Sequence, residues 1–599
     1  MLAAFEVITE GDPPEGLKFH ASVSRLWAAV NRDRVSWRDR ALASHAGDRE
    51  WHVGTVVAGS PDPGRASAPG GGIARGAAVI ASLTILSRLL GLVRTLVFSQ
   101  TVGVSCLGTA YVTANQIPNL LYELILGGAL TSAMVPVLAR SAERAASDPA
   151  EKARVGEITS ALLTWSVIIL VPLVLVIAAA AGPIASLLNP ANANAHCVRA
   201  DVVAATSSML VVFAPQALLY GLSVVLYGLL QSYRRFAALT IGPGISSLVL
   251  ISCYLAFVPL NRGLPLARLP REAELVLSAG TTLGIAVLVV VAVPSTWRLH
   301  LRLRPVLRFP PGVARRAGGL ALVGVFELIA VDLASIVTIA LANGRGDTGA
   351  IVIFNYATQV FSSVSGILAL SIVVSAFPVL AAREGPEFDR TCAGATRAAL
   401  LMAWLGAAMI AAIAGPAAHV LARQPDQVPE LIQAFALFAP GLVGTAVIAN
   451  LSRVMFVIGR LKIAAAALAG SWLLVVVADV VLAELAPPRL VVAALALGNT
   501  IGPAVVAVPL VRLTRRICGQ AAVQGVSHAA LAGLAAGVAG AAVGVAISMA
   551  VPVHHKLEAF AAAMPAAGGA VIAFGIVAYL LDDGDLRAVL AWVRRIVRS

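Results

Sequence analysis

The chain has 599 residues, 59% hydrophobic and only 13% charged, with a mean hydropathy of +0.87; a soluble globular protein has roughly 45–50% apolar and about 25% charged residues. This composition excludes a water-soluble enzyme, a disordered chain and a disulfide-stapled secreted scaffold, and predicts an all-α polytopic membrane protein. The formal charge of +13 would suit nucleic acid if the basic side chains shared one surface. They fall instead in loops between apolar runs, so no nucleic-acid partner is expected.

Residues 1–72 are polar, with eight Lys/Arg against nine Asp/Glu and the Pro/Gly/Ser-rich end SPDPGRASAPGGG. They read as a disordered cytoplasmic tail, with GGIARG (71–76) as a linker. From Ile73 onward, apolar runs long enough to cross hydrocarbon repeat to the end of the chain. Fourteen spans are expected, at 76–99, 107–139, 158–181, 203–230, 237–260, 273–295 and 317–342, then at 350–381, 393–421, 430–458, 463–486, 490–511, 527–551 and 559–581. Alternate loops differ by a roughly three-fold excess of Lys and Arg, which places both termini in the cytoplasm. The basic segment LRAVLAWVRRIVRS within 582–599 reads as an amphipathic helix on the inner leaflet.

Two echoes suggest duplication. SAMVPVLA (132–139) returns as VSAFPVLA (374–381), and VFAP (212–215) returns as LFAP (437–440). The expected domains are a first six-helix lobe (73–310), a second (311–520) and an added helix pair (521–581). Transporters built from such repeats bind substrate between them.

Ionisable residues deep in apolar spans are functional candidates because a charge at the bilayer centre costs roughly 2.5–3.5 kcal/mol. Arg88 and Arg94 lie in the first span, and Glu123 follows Pro118 in the second as the natural partner of Arg88. A buried Arg–Glu tie is the bland reading; against it, two cations face one clear carboxylate, so an anionic ligand is expected. A second cluster, Asp332, Asp479 and Thr500 (beside Asn499), shares one depth and would suit a cation. The five cysteines are scattered without ligand spacing, so no metal or redox site is expected. No nucleotide-binding, zinc-hydrolase or serine-hydrolase motif is present, so the chain is not expected to be an enzyme.

ASLTILSRLLGLVR (81–94), IPNLLYELILGGALTSAMVPVLAR (117–140) and LLQSYRRFAALTIGP (229–243) resemble the MurJ/MviN family of lipid II flippases in the MOP exporter superfamily. The likeness is to a divergent, actinobacterial-type member, and implies a multi-pass protein of the bacterial cytoplasmic (inner) membrane. It implies transfer of undecaprenyl-pyrophosphate-linked peptidoglycan precursor from inner to outer leaflet by alternating access. It also implies substrate contacts from Ser87, Arg88 and Arg94, joined by Glu123, Tyr122 and Gln359. A polyprenyl-tail groove in the last helix pair is implied too, consistent with the small residues of GLAAGVAGAAVG (533–544), and in some members a sodium ion between spans 7, 11 and 12. Coupling is left open among Na+, protons and the membrane potential, with no cofactor. Implied partners are the lipid-linked precursor, membrane lipids and cell-wall synthesis proteins. The chain departs from the family where Tyr122 replaces an arginine, where Thr358 and Gln359 replace an Asp-Arg pair, and at Thr109, where an acidic residue is usual. The alternatives are a flippase for another lipid-linked oligosaccharide, a cation-coupled exporter, or a transport-inactive cell-wall scaffold.

Overall fold

The computed structural model describes residues 70–124, 144–145, 148–192, 196–233, 235, 237–307, 313–551 and 555–581. Nearly all of these residues are helical, as lipid requires of a backbone whose amides find no water. The first half comprises α1 (Gly70–Thr101), α2 (Cys106–Leu124), α3 (Pro149–Ala179), α4 (Ala181–Leu188), α5 (Arg199–Phe213), α6 (Gln216–Ser232), α7 (Ala237–Asn261) and α8 (Arg271–Trp297). The second comprises α9 (Val313–Arg345), α10 (Ala350–Ile367), α11 (Ala369–Ala381), α12 (Gly385–Leu421), α13 (Gln427–Phe438), α14 (Gly441–Val457), α15 (Leu461–Leu485) and α16 (Val491–Cys518). Helices α17 (Val526–Ala550) and α18 (Lys556–Leu581) complete the described chain. From Pro149 on, twelve stretches are long and apolar enough to cross a membrane, and α1 and α2 precede them.

The FAP echo falls where two spans break. Helix α5 ends at Phe213 and α6 restarts after Pro215; α13 ends at Phe438 and α14 restarts after Pro440. Proline lacks the amide that would continue the ladder and crowds the carbonyl four residues back. The same three residues therefore cut two corresponding spans at the same place. The other echo is only half visible, because 132–139 lies outside the described residues. So do most of the 1–72 tail and all of 582–599.

Residues 68–599 form one compact unit. Within it α7 packs on α1 and α8, α8 on α6, α2 on α5, and α3 on α6. In the second half α15 packs on α9 and α16, and α14 on α12 and α16. The halves meet where α2 touches α9 and α10, and where α4 touches α9.

Two local expectations need correction. GGIARG is not a linker: α1 begins at Gly70 and runs through it, since glycine weakens a helix without ending one. The glycines of 533–544, taken as consistent with a groove, are themselves packed. Gly533, Gly537, Gly540 and Gly544 are buried. A Cβ on Gly533 would lie 2.4 Å from the Trp404 ring of α12, and one on Gly544 would lie 2.9 Å from the Ala566 carbonyl of α18. That stripe is a packing surface, of the kind small residues make between helices in lipid.

Gly544→Leu should therefore destabilise the purified protein by about 1–3 kcal/mol through overpacking, read as a lower thermal midpoint. Gly568→Leu, where a Cβ would meet nothing within 4 Å, should leave the midpoint unchanged.

Candidate functional site

The motif SRLLGLVR places Arg88 and Arg94 six residues apart on α1, about 9 Å along the axis and about 120° around it. Both meet the same partner, α10, at different heights. Arg94 lines a cavity of about 220 Å³ together with Asn355, Tyr356 and Gln359 of α10. Arg88 lies lower: a Cβ on Gly366 of α10 would be 3.4 Å from its Nη1 and 3.7 Å from its Nη2. Gln359 and Gly366 are seven residues apart, so they share one face about 10.5 Å apart. One strip of α10 thus lines the cavity of Arg94 at Gln359 and stands beside Arg88 at Gly366. Gly366 supplies the room a larger side chain would take.

The remaining polar wall comes from α2, where Asn115, Gln116 and Asn119 fall on one face and line the cavity. The Tyr220 hydroxyl of α6 donates to Asn119 Oδ1 at 2.9 Å. Tyr122 stacks on Tyr220 with ring centroids 4.4 Å apart. The Tyr111 hydroxyl is linked to Tyr254 Oη at 2.9 Å and to Thr281 Oγ1 at 2.8 Å. Tyr356 is almost fully buried at the cavity, and its hydroxyl has no hydrogen-bond partner among the described residues. The site therefore combines one guanidinium with five side-chain amides and several phenols. Amides both donate and accept, which suits sugar hydroxyls and peptide groups, whereas a guanidinium forks onto phosphate oxygens. Of these amides the sequence reading named Gln359 alone, because the cost of burial in hydrocarbon singles out ionisable groups first. Their signal was present as NQIPN (115–119) and the i, i+4 pair Asn355 and Gln359.

Of the other candidates, Ser87 does not line this cavity. It faces α7, where a Cβ on Gly244 would lie 3.7 Å from its Oγ. Glu123 belongs to α2 by its backbone, and its side chain lies outside the described residues. Thr358 donates to its own helix, to the Phe354 carbonyl.

One turn beyond Arg94 the cavity is roofed. Phe98 packs on Tyr111 (centroids 5.1 Å), Tyr254 (5.3 Å) and Tyr356 (6.3 Å), joining α1, α2, α7 and α10. Above this aromatic layer a polar clasp ties the two halves. Asn343 of α9 donates to Thr113 Oγ1 and to the Leu188 carbonyl, both at 2.9 Å. Asn192 donates to the Asn343 and Gly346 carbonyls at 2.8 Å, and the His196 amide donates to Thr348 Oγ1 at 3.0 Å. Thr109 lies here, on the wall of a small cavity of about 40 Å³ beside the clasp. Two of the scattered cysteines meet here: Cys106 and Cys197 form a disulfide across 91 residues. The sequence hid it because their two loops meet only once α2 and α5 pack.

The cation cluster does not assemble as depth alone suggested. Asp479 of α15 is fully buried; its Oδ2 accepts from Thr338 Oγ1 of α9 at 2.8 Å, and its Oδ1 has no hydrogen-bond partner among the described residues. Gly498 of α16 makes room for it, since a Cβ there would sit 2.0 Å from Oδ1. Thr500, two residues and about 200° further round α16, points away and donates to the Leu437 carbonyl at 2.5 Å. Asp332 stands six residues from Thr338, about 9 Å along α9. The Asp479 carboxylate and the Thr338 hydroxyl meet here, and Thr500 does not join them. The three residues expected to share a cation thus do not converge as a set through Thr500.

The family model described as "Lipid II flippase MurJ" matches residues 98–560. The match starts beyond both arginines of α1 and so does not depend on the SRLLGLVR motif. The probable lipid II flippase MurJ of Rhizobium tropici is 25% identical over 303 residues, covering 50% of this chain and 54% of the relative. The lipid II flippase MurJ of Burkholderia cenocepacia is 27% identical over 180 residues, covering 30% of this chain and 33% of the relative. These alignments span about half the relatives' length or less. A solved lipid II flippase MurJ in an inward closed conformation shares the fold with a TM-score of 0.64 at 15% identity, covering 83% of this chain and 98% of that one. An inward-facing multidrug resistance MATE family transporter of the MOP superfamily does so at 0.58 and 15%, covering 74% and 97%. With the family model matched over more than half of its length, the chain belongs to the MurJ lipid II flippase family.

Proposed function

We propose that this chain carries lipid II across the cytoplasmic membrane by alternating access of two six-helix lobes, without covalent chemistry. The observation that supports it most directly is the cavity itself: Arg94 among amides, between α1 and α2 on one side and α10 on the other. Arg94 and Arg88 would take the pyrophosphate at two successive levels. Asn115, Asn119, Gln359 and the unpartnered Tyr356 hydroxyl would take the sugar and peptide. Because Gln359 and the stacked Tyr122 stand where the family carries arginines, recognition here leans on hydrogen bonding more than on charge.

The orientation follows from two independent features. Basic loops concentrate at one end of the spans, as they do on a cytoplasmic side. The Cys106–Cys197 disulfide sits at the other end, as bridges do in an oxidising compartment. The clasp is then the outer gate, closed here, and its hydrogen bonds are exchanged for water when substrate leaves. Coupling is assigned to Asp479, a buried carboxylate at the junction of α9, α15 and α16, rather than to a sodium site.

In cells depleted of their own lipid II flippase, the wild-type chain should restore growth. Arg94→Ala should lower transport roughly 10- to 100-fold, the worth of a lost charged hydrogen bond, and Gly366→Val should impair it by displacing Arg88. Removal of residues 1–69 should be tolerated; a scaffold would show the reverse pattern. Asn192→Ala with Asn343→Ala should raise amide exchange over 341–350 while leaving exchange in α14 unchanged. Asp479→Asn should fold normally and lose its response to an imposed proton gradient, whereas an unaltered response would remove Asp479 from coupling.

A further inference from the structure

Outside the transport path, the segment that leaves α8 has an unusual course. Residues 301–307, LRLRPVL, are extended and run along the side of α3. The Arg304 amide donates to Ser160 Oγ at 3.1 Å and the Val306 amide to Thr164 Oγ1 at 3.3 Å. The Trp165 indole donates back to the Leu307 carbonyl at 3.0 Å. Gly156 permits the approach, since a Cβ there would lie 3.2 Å from the Arg302 carbonyl.

The depth of this contact can be read from α3. Its last charged residue is Glu157, and no charge follows from Ile158 to Ala179, a length of about 33 Å that matches a hydrocarbon core of about 30 Å. Ser160 therefore lies about 3 Å inside the hydrocarbon and Thr164 about 9 Å inside. The strap climbs from the headgroup level into the acyl region, and hydroxyls of α3 satisfy the backbone amides of Arg304 and Val306 there.

Between strap and helix lies an open groove of about 340 Å³, lined by Leu163, Val167 and Ile168 of α3 and by Leu303, Arg304 and Pro305 of the strap. Val167, Ile168 and Leu303 are exposed. Arg304 on the groove wall and Arg302 two residues before it are both exposed, and neither guanidinium has an ion-pair partner among the described residues. An apolar trough with two cations at the hydrocarbon boundary has the two-part chemistry of one molecule. We propose that the groove binds an anionic glycerophospholipid of the leaflet on the basic-loop side, with an acyl chain against Val167 and Ile168 and its phosphate on Arg304 and Arg302. The lipid fastens the strap that joins α8 to α9, and so the connection between the two halves.

The test is lipid retention by the full chain in mixed micelles of phosphatidylglycerol and phosphatidylcholine with matched acyl chains, read by native mass spectrometry. The wild type should retain phosphatidylglycerol preferentially. Arg302→Gln with Arg304→Gln should reduce that preference by at least about five-fold, the effect of roughly one basic residue at an anionic surface. Val167→Trp, which fills the groove and keeps both arginines, should reduce bound phosphatidylglycerol as well. Arg390→Gln, an exposed arginine at the start of α12, should change nothing. Equal retention of the two lipids, or a double variant indistinguishable from Arg390→Gln, overturns the proposal. Displacement of phosphatidylglycerol by equimolar polyprenyl phosphate would also overturn it, assigning the groove to the carrier lipid.

Discussion

A guanidinium placed midway along an apolar span is destabilising by a few kcal/mol unless the protein supplies polar company, and the helices around Arg94 are arranged to supply it. Amides from α2 and α10, and phenols from α6 and α7, line the cavity that Arg94 enters. Those polar groups have the same difficulty in hydrocarbon as the cation, so each stabilises the others only while the cavity keeps its shape. Much of that shape comes from α10, which faces both arginines of α1 and carries a glycine where Arg88 crosses it. An anion entering the cavity completes the set rather than disturbing it.

Above that charge the structure changes character in two steps. The aromatic layer around Phe98 excludes water by packing, and the clasp around Asn343 holds the halves by directional hydrogen bonds. Each clasp bond contributes about 1 kcal/mol net because water replaces it when broken. A gate made this way can open without a large penalty. The disulfide lies on one side of it, tying the start of α2 to the segment before α5. It leaves the contact between the halves free to separate.

The architecture was legible because the bilayer imposes a length on every span and a sign on alternate loops. The FAP repeats at 213–215 and 438–440 carried more than similarity, since the proline physically cuts both spans. What depth could not convey was direction around a helix. Thr500 shares a level with Asp479, yet Gly498 faces the carboxylate and Thr500 faces Leu437. Arg88 and Arg94 stood out by charge, but that residues of α10 line the cavity of one and stand beside the other becomes visible only in the folded chain. The amides, the disulfide and the strap on α3 depend on contacts between segments distant in sequence, where periodicity and spacing carry no information.

The central claim is that Arg94 and its amide-lined cavity move an anionic lipid between leaflets. The direct measurement is leaflet exchange of fluorescent lipid II in liposomes containing the purified chain, read by a membrane-impermeant quencher. The wild type should exchange lipid II well above protein-free liposomes. Arg94→Ala at equal protein density should fall most of the way back, while Gln359→Asn, which shortens one amide and keeps the charge, should retain the larger part of the activity. Equal exchange by wild type and Arg94→Ala would contradict the account.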